Sequence, residues 1–329
     1  MNFREDLVCQ SSLNLVSIDL ASIDLEDHTF RITTDTRIED LIFSIKSVGL
    51  LNAPILKKKT SGFQIISGFR RISACLSLGM TEISARIVDP DSKKLECVKF
   101  AITENSLQRT LNLIEQSRSF YLLSGFYKDN DHLAKAASVL GLPNNLSIIN
   151  KVKKICRLPR DIQNGVLSDT ISLSMALELE MLEKDEGSAF AILFEKLKLS
   201  LNKQREILTH IKEIAIIENI SIINLLTKSH LREIVDNKDL DRNKKINKIR
   251  LYLKQRRFPE ITRAEKEIEI KIKKLKLGSN IKLIPPKNFE ASTYSLNLQF
   301  SSMEQLRENK TTLQKIIQNP ILKDIISTT

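Results

Sequence analysis

Ile65-Ile66-Ser67-Gly68-Phe69-Arg70-Arg71-Ile72-Ser73-Ala74 is the stretch on which the fold of this 329-residue chain turns. Its apolar run stops at Ser67-Gly68, and the spacing after it is helical, so it reads as a strand, a tight turn and the start of a helix. Gly68 has no Cβ, which lets the backbone approach a ligand closely. A helix opening at Phe69 leaves its first N–H groups unpaired and turns the positive end of its dipole toward an anion. Arg70 and Arg71 add guanidinium forks that suit phosphate oxygens. The same residues also suit a plain strand–helix turn with solvated or carboxylate-paired arginines.

Outward from this point the pattern is α+β. Upstream, a strand is expected over Leu13–Leu20, in a Ser/Asp/Leu-rich segment running to about residue 35. Ile38, Leu41, Ile42, Ile45 and Val48 then form one helical face, and Gly49 is placed to end it. Pro54–Lys58 and Phe63–Ser67 read as strands around the turn signal Thr60-Ser61-Gly62. Downstream, a helix is expected over Phe69–Leu78, a strand over Ile83–Val88, and helices over Ser92–Glu104 and Leu113–Ser124. This unit spans residues 1–125.

A second polar motif closes the unit. Ile102-Thr103-Glu104-Asn105-Ser106-Leu107-Gln108-Arg109 runs into Leu111-Asn112-Leu113-Ile114-Glu115-Gln116. Glu104, Asn105 and Gln108 offer oxygen ligands of the kind Mg²⁺ takes, one or two carboxylates with water and phosphate completing the shell. They equally suit the polar end of an amphipathic helix.

Residues 126–240 carry helical patterns without a strand, punctuated by Gly141-Leu142-Pro143, Leu158-Pro159, Gly165 and Gly187. Within them, Ala136–Gly141 and Leu146–Ile155 read as helix, turn, helix near residues 136–156. Residues 241–260 hold the basic run Arg242–Arg257, either a surface for DNA phosphates or a solvated helix or linker. Residues 261–329 turn α+β again: a helix over Ile261–Leu275, strands over Ile281–Ile284 and Thr293–Phe300 joined through Pro285-Pro286-Lys287-Asn288, and a last helix capped by Ser301 and Ser302. In the second strand Tyr294, Leu296, Leu298 and Phe300 alternate with polar residues, which predicts one buried face. So small a module is marginal alone, and dimerisation would cover its remaining apolar face.

The net charge is +11 and the isoelectric point near 9.4, which point to a polyanionic partner, nucleic acid first and an anionic membrane second. Cys9, Cys75, Cys97 and Cys156 are scattered, and no histidine stands beside them at zinc spacing, so reduced and mostly buried thiols are expected. No apolar run approaches the roughly 18 residues of a spanning helix. The acidic start Met1-Asn2-Phe3-Arg4-Glu5-Asp6 is unlike a signal peptide, so a cytoplasmic, nucleoid-associated protein without a membrane partner is expected.

Joined, the two motifs resemble the ParB family of chromosome and plasmid partition proteins. That family carries a G-E-R-R-x-R-A box and, downstream, an E-N-x-Q-R box followed by D-L-N-P-I-E-E-A. Here the boxes read Gly68-Phe69-Arg70-Arg71-Ile72-Ser73-Ala74 and Glu104-Asn105-Ser106-Leu107-Gln108-Arg109, then Leu111–Ser117. Leu41–Ile55 is similar to the family's first box, and Cys156–Ile162 with Gly165–Ser168 to its R-L-P-x-x-I and G-x-L-S segments. The resemblance implies a ParB/sulfiredoxin-like α+β domain, an all-α helix-turn-helix domain and a small α+β dimerisation module. It implies binding of CTP with Mg²⁺, with Gly68, Phe69, Arg70, Arg71, Gln108 and Arg109 at the nucleotide, Glu104 and Asn105 at the metal, and Glu104 assisting hydrolysis. It further implies a homodimer that clamps double-stranded DNA at a palindromic, centromere-like site, and a ParA-type ATPase partner.

In the helix-turn-helix, Asn144, Asn145, Ser147, Asn150 and Lys151 are placed for base edges, and Lys153 and Lys154 for phosphates. The chain departs from the family at Phe69, where a glutamate is usual, at Ser73, where the third arginine falls, and by one residue inserted before Gln108. The Gly-His-Ala-Arg-Ala segment is replaced by Ile171–Ala176. A transcription regulator without the nucleotide switch therefore stands as an alternative. Sulfiredoxin chemistry lacks its cysteine after Gly68, and a nuclease lacks a cluster of carboxylates or histidines.

Overall fold

The computed structural model describes residues 13–228, 230–286 and 293–327. The Met1–Asp6 start, Cys9 and the Lys287-Asn288 connection lie outside the described residues. The chain divides into two compact units, Met1–Gln204 and Arg205–Thr329.

The first unit is built on a five-stranded sheet: β1 (Leu13–Asp19), β2 (Ile23–Asp24), β3 (Ile55–Lys58), β4 (Phe63–Ser67) and β5 (Glu82–Val88), in the order β1-β5-β3-β4-β2. β1 pairs antiparallel with β5, from Leu13 opposite Val88 to Asp19 opposite Glu82, while β3 runs parallel to β5 and antiparallel to β4. β1 stops one residue short of the expected Leu20. The Asp19 side chain accepts from the Ala21 N–H (2.9 Å) and turns the chain into a short 3₁₀ segment. The two-residue β2, parallel to Phe63-Gln64, was not among the expected strands.

Strand alternation divides the sheet's apolar residues between two cores. Leu56, Ile65, Ile83 and Ala85 join Ile45 of helix α1 (Glu39–Val48) and Phe69, Ile72 and Cys75 of α2 (Phe69–Ser77). Ile55, Ile66 and Val88 face the other way, onto Val98, Ala101 and Ile102 of α3 (Lys94–Ser106) and Phe120 and Leu123 of α4 (Leu113–Ser124). The same core takes in Leu133 and Ala137 of α5 (Asn130–Val139) and Ile149 and Val152 of α6 (Leu146–Val152). The boundary expected near residue 125 thus falls inside this unit. The unit is completed by α7 (Arg160–Leu167), α8 (Leu173–Glu180) and α9 (Lys184–Leu197), and α10 (Leu201–Ile217) runs through the division. Cys75 and Cys97 are buried and Cys156 half-buried, and none of the three is in a disulfide.

The second unit continues with α11 (Ile222–Thr227), α12 (His230–Asp236), α13 (Arg242–Arg257) and α14 (Pro259–Lys274). β6 (Ile281–Ile284) and β7 (Ser295–Leu298) follow, then α15 (Met303–Ile317) and α16 (Pro320–Ser327). β6 and β7 pair antiparallel, Ile281 opposite Leu298, beside a core of Ile268, Leu275, Leu283, Ile316 and Ile325. The buried face expected of Thr293–Phe300 is only half present. Tyr294 and Leu298 pack on this core, but Leu296 and Phe300 remain 40% and 53% exposed. A four-residue pair of strands is too small to cover both. Among the described residues no helix is long and apolar enough to cross a membrane.

Candidate functional site

Gly68 is the pivot between β4 and α2. It takes φ +98°, a left-handed conformation that costs a side-chain-bearing residue, and a Cβ there would lie 2.7 Å from Pro54 Cβ. Gly68→Ala is expected to destabilise the N-terminal unit by at least about 2 kcal/mol, from backbone strain and overpacking together, measured by urea denaturation.

Around this turn a cavity of about 210 Å³ gathers both sequence motifs: Gly68, Phe69, Arg70 and Arg71 from one, Glu104, Asn105, Gln108 and Arg109 from the other. Phe30, Ile32, Leu41 and Ile66 give it apolar walls. The three arginines, Glu104 and Asn105 already have protein partners. Arg71 donates to the Asn52 carbonyl (2.8 Å) and to Glu104 Oε2 (3.1 Å), so a cation and a carboxylate face each other inside the cavity. Arg70 donates through Nε to the Arg37 carbonyl (2.7 Å) and lies 3.4 Å from Asp35. Hydrogen bonds from Arg37 and the charge of Arg70 bring the Asp35 carboxyl down to about 2. Asn105 donates to the Ala101 carbonyl one turn back (2.7 Å). Gln108 is exposed on the chain after α3.

Phe69 behaves differently from its neighbours. It is buried, with its ring stacked on His28 at 5.9 Å and Arg31 5.7 Å from its centroid, so it borders the cavity while filling the core. Ser73 is exposed and its hydroxyl donates to the Phe69 carbonyl.

Arg109 forks onto Glu115, both bonds 2.7 Å. Glu115 is fully buried and also accepts from the Thr34 N–H (2.9 Å) and the Asn112 N–H (3.2 Å). Asn112 caps α4 by accepting from the Glu115 N–H (3.0 Å) and donates to Thr34 Oγ1 (2.8 Å). Burial alone would push the Glu115 carboxyl up; Arg109 and the two backbone N–H groups outweigh it and hold it below the ordinary carboxylate value. The Asn112-x-x-Glu115 capping pattern is visible in the sequence. Nothing local announces Thr34, 81 residues away.

The residues expected to meet DNA lie along α6, in the turn before it and just past its end. Asn144, Asn145, Ser147, Asn150, Lys151 and Lys154 are exposed and Lys153 half-exposed, while Ile149 and Val152 hold the opposite face in the core. Asn145 is the helix cap, accepting from the Ile148 N–H (3.1 Å), and Lys154 lies 3.7 Å from Glu180. The basic run Arg242–Arg257 is helix α13, and acids of its own unit neutralise much of it. Arg250 pairs with Glu206, Lys254 with Glu265, Arg256 with Glu218 and Arg257 with Glu213. This favours a structural role for that helix over a free DNA surface.

Residues 6–106 match the ParB N-terminal domain family. That stretch is thus a ParB N-terminal domain, and the chain is similar to curated ParB proteins beyond it. It is 33% identical over 141 residues to a probable chromosome-partitioning protein ParB of Rickettsia bellii, covering 43% of this chain and 46% of that protein. It is 29% identical over 174 residues to the nucleoid occlusion protein of a Geobacillus species, covering 52% and 59%. The chain thus matches about half the length of these curated relatives. A solved structure, the C-terminally truncated chromosome-partitioning protein ParB from Caulobacter crescentus complexed with CTP-gamma-S, is matched over 55% of this chain and 98% of that one, at 19% identity and a TM-score of 0.26. In ParB terms, the two substituted box positions have local explanations: Phe69 belongs to the core, and Ser73 is turned back onto its own helix.

Proposed function

We propose that this chain is a ParB-family, CTP-dependent, site-specific DNA-binding protein of chromosome or plasmid partition. The observation that carries the reading is the single cavity bringing Gly68, Arg70 and Arg71 together with Glu104, Asn105, Gln108 and Arg109. A nucleotide's phosphates would lie against the start of α2 and take Arg71, and Arg70 would reach them by leaving Asp35. Glu104 and Asn105 would hold Mg²⁺ with phosphate and water completing its shell, a donor set that fits this ion. Bound Mg²⁺ would neutralise phosphate charge, and Glu104 would stand ready to orient a water for hydrolysis.

The helix pair α5–α6 serves as the helix-turn-helix, offering Asn144, Asn145, Ser147, Asn150 and Lys151 to base edges and Lys153 and Lys154 to the backbone. Dimerisation through the C-terminal module would cover Leu296, Phe300, Met303 and Ile317, all exposed in one chain. On this reading the protein acts in the cytoplasm on the nucleoid, as a clamp on a palindromic site, beside a ParA-type ATPase.

The test is isothermal titration of the full chain with CTP and Mg²⁺. Saturable heat is expected, weakened when Mg²⁺ is withheld. Normal site-specific DNA binding without any CTP heat would instead support a ParB-like regulator that lacks the switch. One observation favours that second reading: Arg109 is committed to buried Glu115 and Arg70 to Asp35, which leaves fewer free donors than the motifs suggest.

A further inference from the structure

A second cavity, of about 740 Å³, lies in the N-terminal unit among residues 28–36, α4 and the chain from Cys156 into α7. Four arginines line it, Arg31, Arg118, Arg157 and Arg160, and no aspartate or glutamate does. Among the described residues, none of the four forms an ion pair. Three arginines around the first cavity are, by contrast, matched: Arg70 to Asp35, Arg71 to Glu104, Arg109 to Glu115.

Here like charges face one another. Arg118 donates to the carbonyls of Ile32 (3.1 Å) and Thr33 (2.8 Å), which fixes its guanidinium at the wall. Burial, then the charge of Arg31, lowers its basicity; Cys156 and Glu115 offset part of this, and Arg160 adds the smallest contribution to the lowering. Arg157 lies 5.8 Å from the centroid of the Tyr121 ring, which is 49% exposed. Unneutralised cations gathered around a recess cost electrostatic energy that an entering anion would recover.

The recess also indicates the kind of anion. Its volume falls in the range of small-molecule sites and is far larger than one phosphate needs. Four guanidiniums, each able to fork onto two oxygens, match several phosphate groups rather than one. The half-exposed Tyr121 ring, with Arg157 over it, offers an aromatic and guanidinium wall against which a flat ring could stack. We infer that this cavity binds a multiply phosphorylated small molecule of the nucleoside polyphosphate class, independently of the site around Gly68.

The test uses the full chain and inorganic tripolyphosphate without metal, followed by isothermal titration. Arg71→Ala is the background, since it disables the first site. That chain should still bind one tripolyphosphate, and adding Arg157→Ala with Arg160→Ala should weaken the binding by about tenfold or more. Arg157 and Arg160 are exposed, so the thermal melt should not move. Absence of tripolyphosphate binding in the Arg71→Ala chain, or affinity unchanged by the two added substitutions, overturns the inference. So does a loss confined to nonspecific duplex DNA, which would assign the arginines to the DNA backbone. Failure of the CTP reading would appear separately, as wild-type chain that takes up no CTP.

Discussion

Glu115→Gln is expected to destabilise the N-terminal unit by about 3 kcal/mol, the lower end of the cost of breaking a buried ion pair, because Arg109 keeps partial access to water. The glutamine amide would turn donors toward a guanidinium and two backbone N–H groups that need an acceptor. Three segments lose their common anchor: residues 30–36 through Thr34, the chain after α3 through Arg109, and the first turn of α4 through Asn112. The readout is the urea midpoint at unchanged slope. A pH series adds a second check. The folded carboxyl sits below its ordinary value, so its contribution is complete above that value, near 4.3, and fades as pH falls toward the folded one. Wild type should therefore lose stability more steeply than Glu115→Gln below about pH 4.3. Parallel curves would show that Glu115 is not the anchor.

Arg71→Ala should weaken CTP binding by about a hundredfold, since one charge-assisted contact to phosphate contributes roughly 1.5–3 kcal/mol. Binding to the cognate DNA site in the absence of nucleotide should stay within about twofold, as α6 lies on different elements and a twofold change is only a few tenths of a kcal/mol. Arg71→Lys keeps the charge but not the fork and should fall between the two. Equal CTP affinity in wild type and Arg71→Ala would remove Arg71 from the nucleotide site.

Much of this arrangement is legible in the residues themselves. Gly49 and Gly68 mark a helix end and a strand–helix turn, and both take positive φ where the pattern requires it. Leu113–Ser124 is a helix with the bounds expected, because Asn112 and Glu115 write its cap into the sequence. What stayed hidden depends on distant partners. Two residues paired parallel to Phe63-Gln64 have no alternation to reveal β2. Arg109 reads as a ligand group until Glu115 is seen to hold it. Leu296 and Phe300 carry the pattern of a buried face, yet among the described residues they remain 40% and 53% exposed. The arginines of the larger cavity come from three separate stretches of chain, so no local motif announces them.

The facing of Arg71 and Glu104 bears on selectivity. A site whose cation and anion satisfy each other offers little to a lone phosphate, which could take Arg71 only by stranding Glu104 without a counter-charge. A nucleotide arriving with its divalent ion would exchange both partners at once, phosphate for the carboxylate and metal for the guanidinium. The pair would then act as a filter, admitting metal-complexed polyphosphates and turning away the simple anions abundant in any cell.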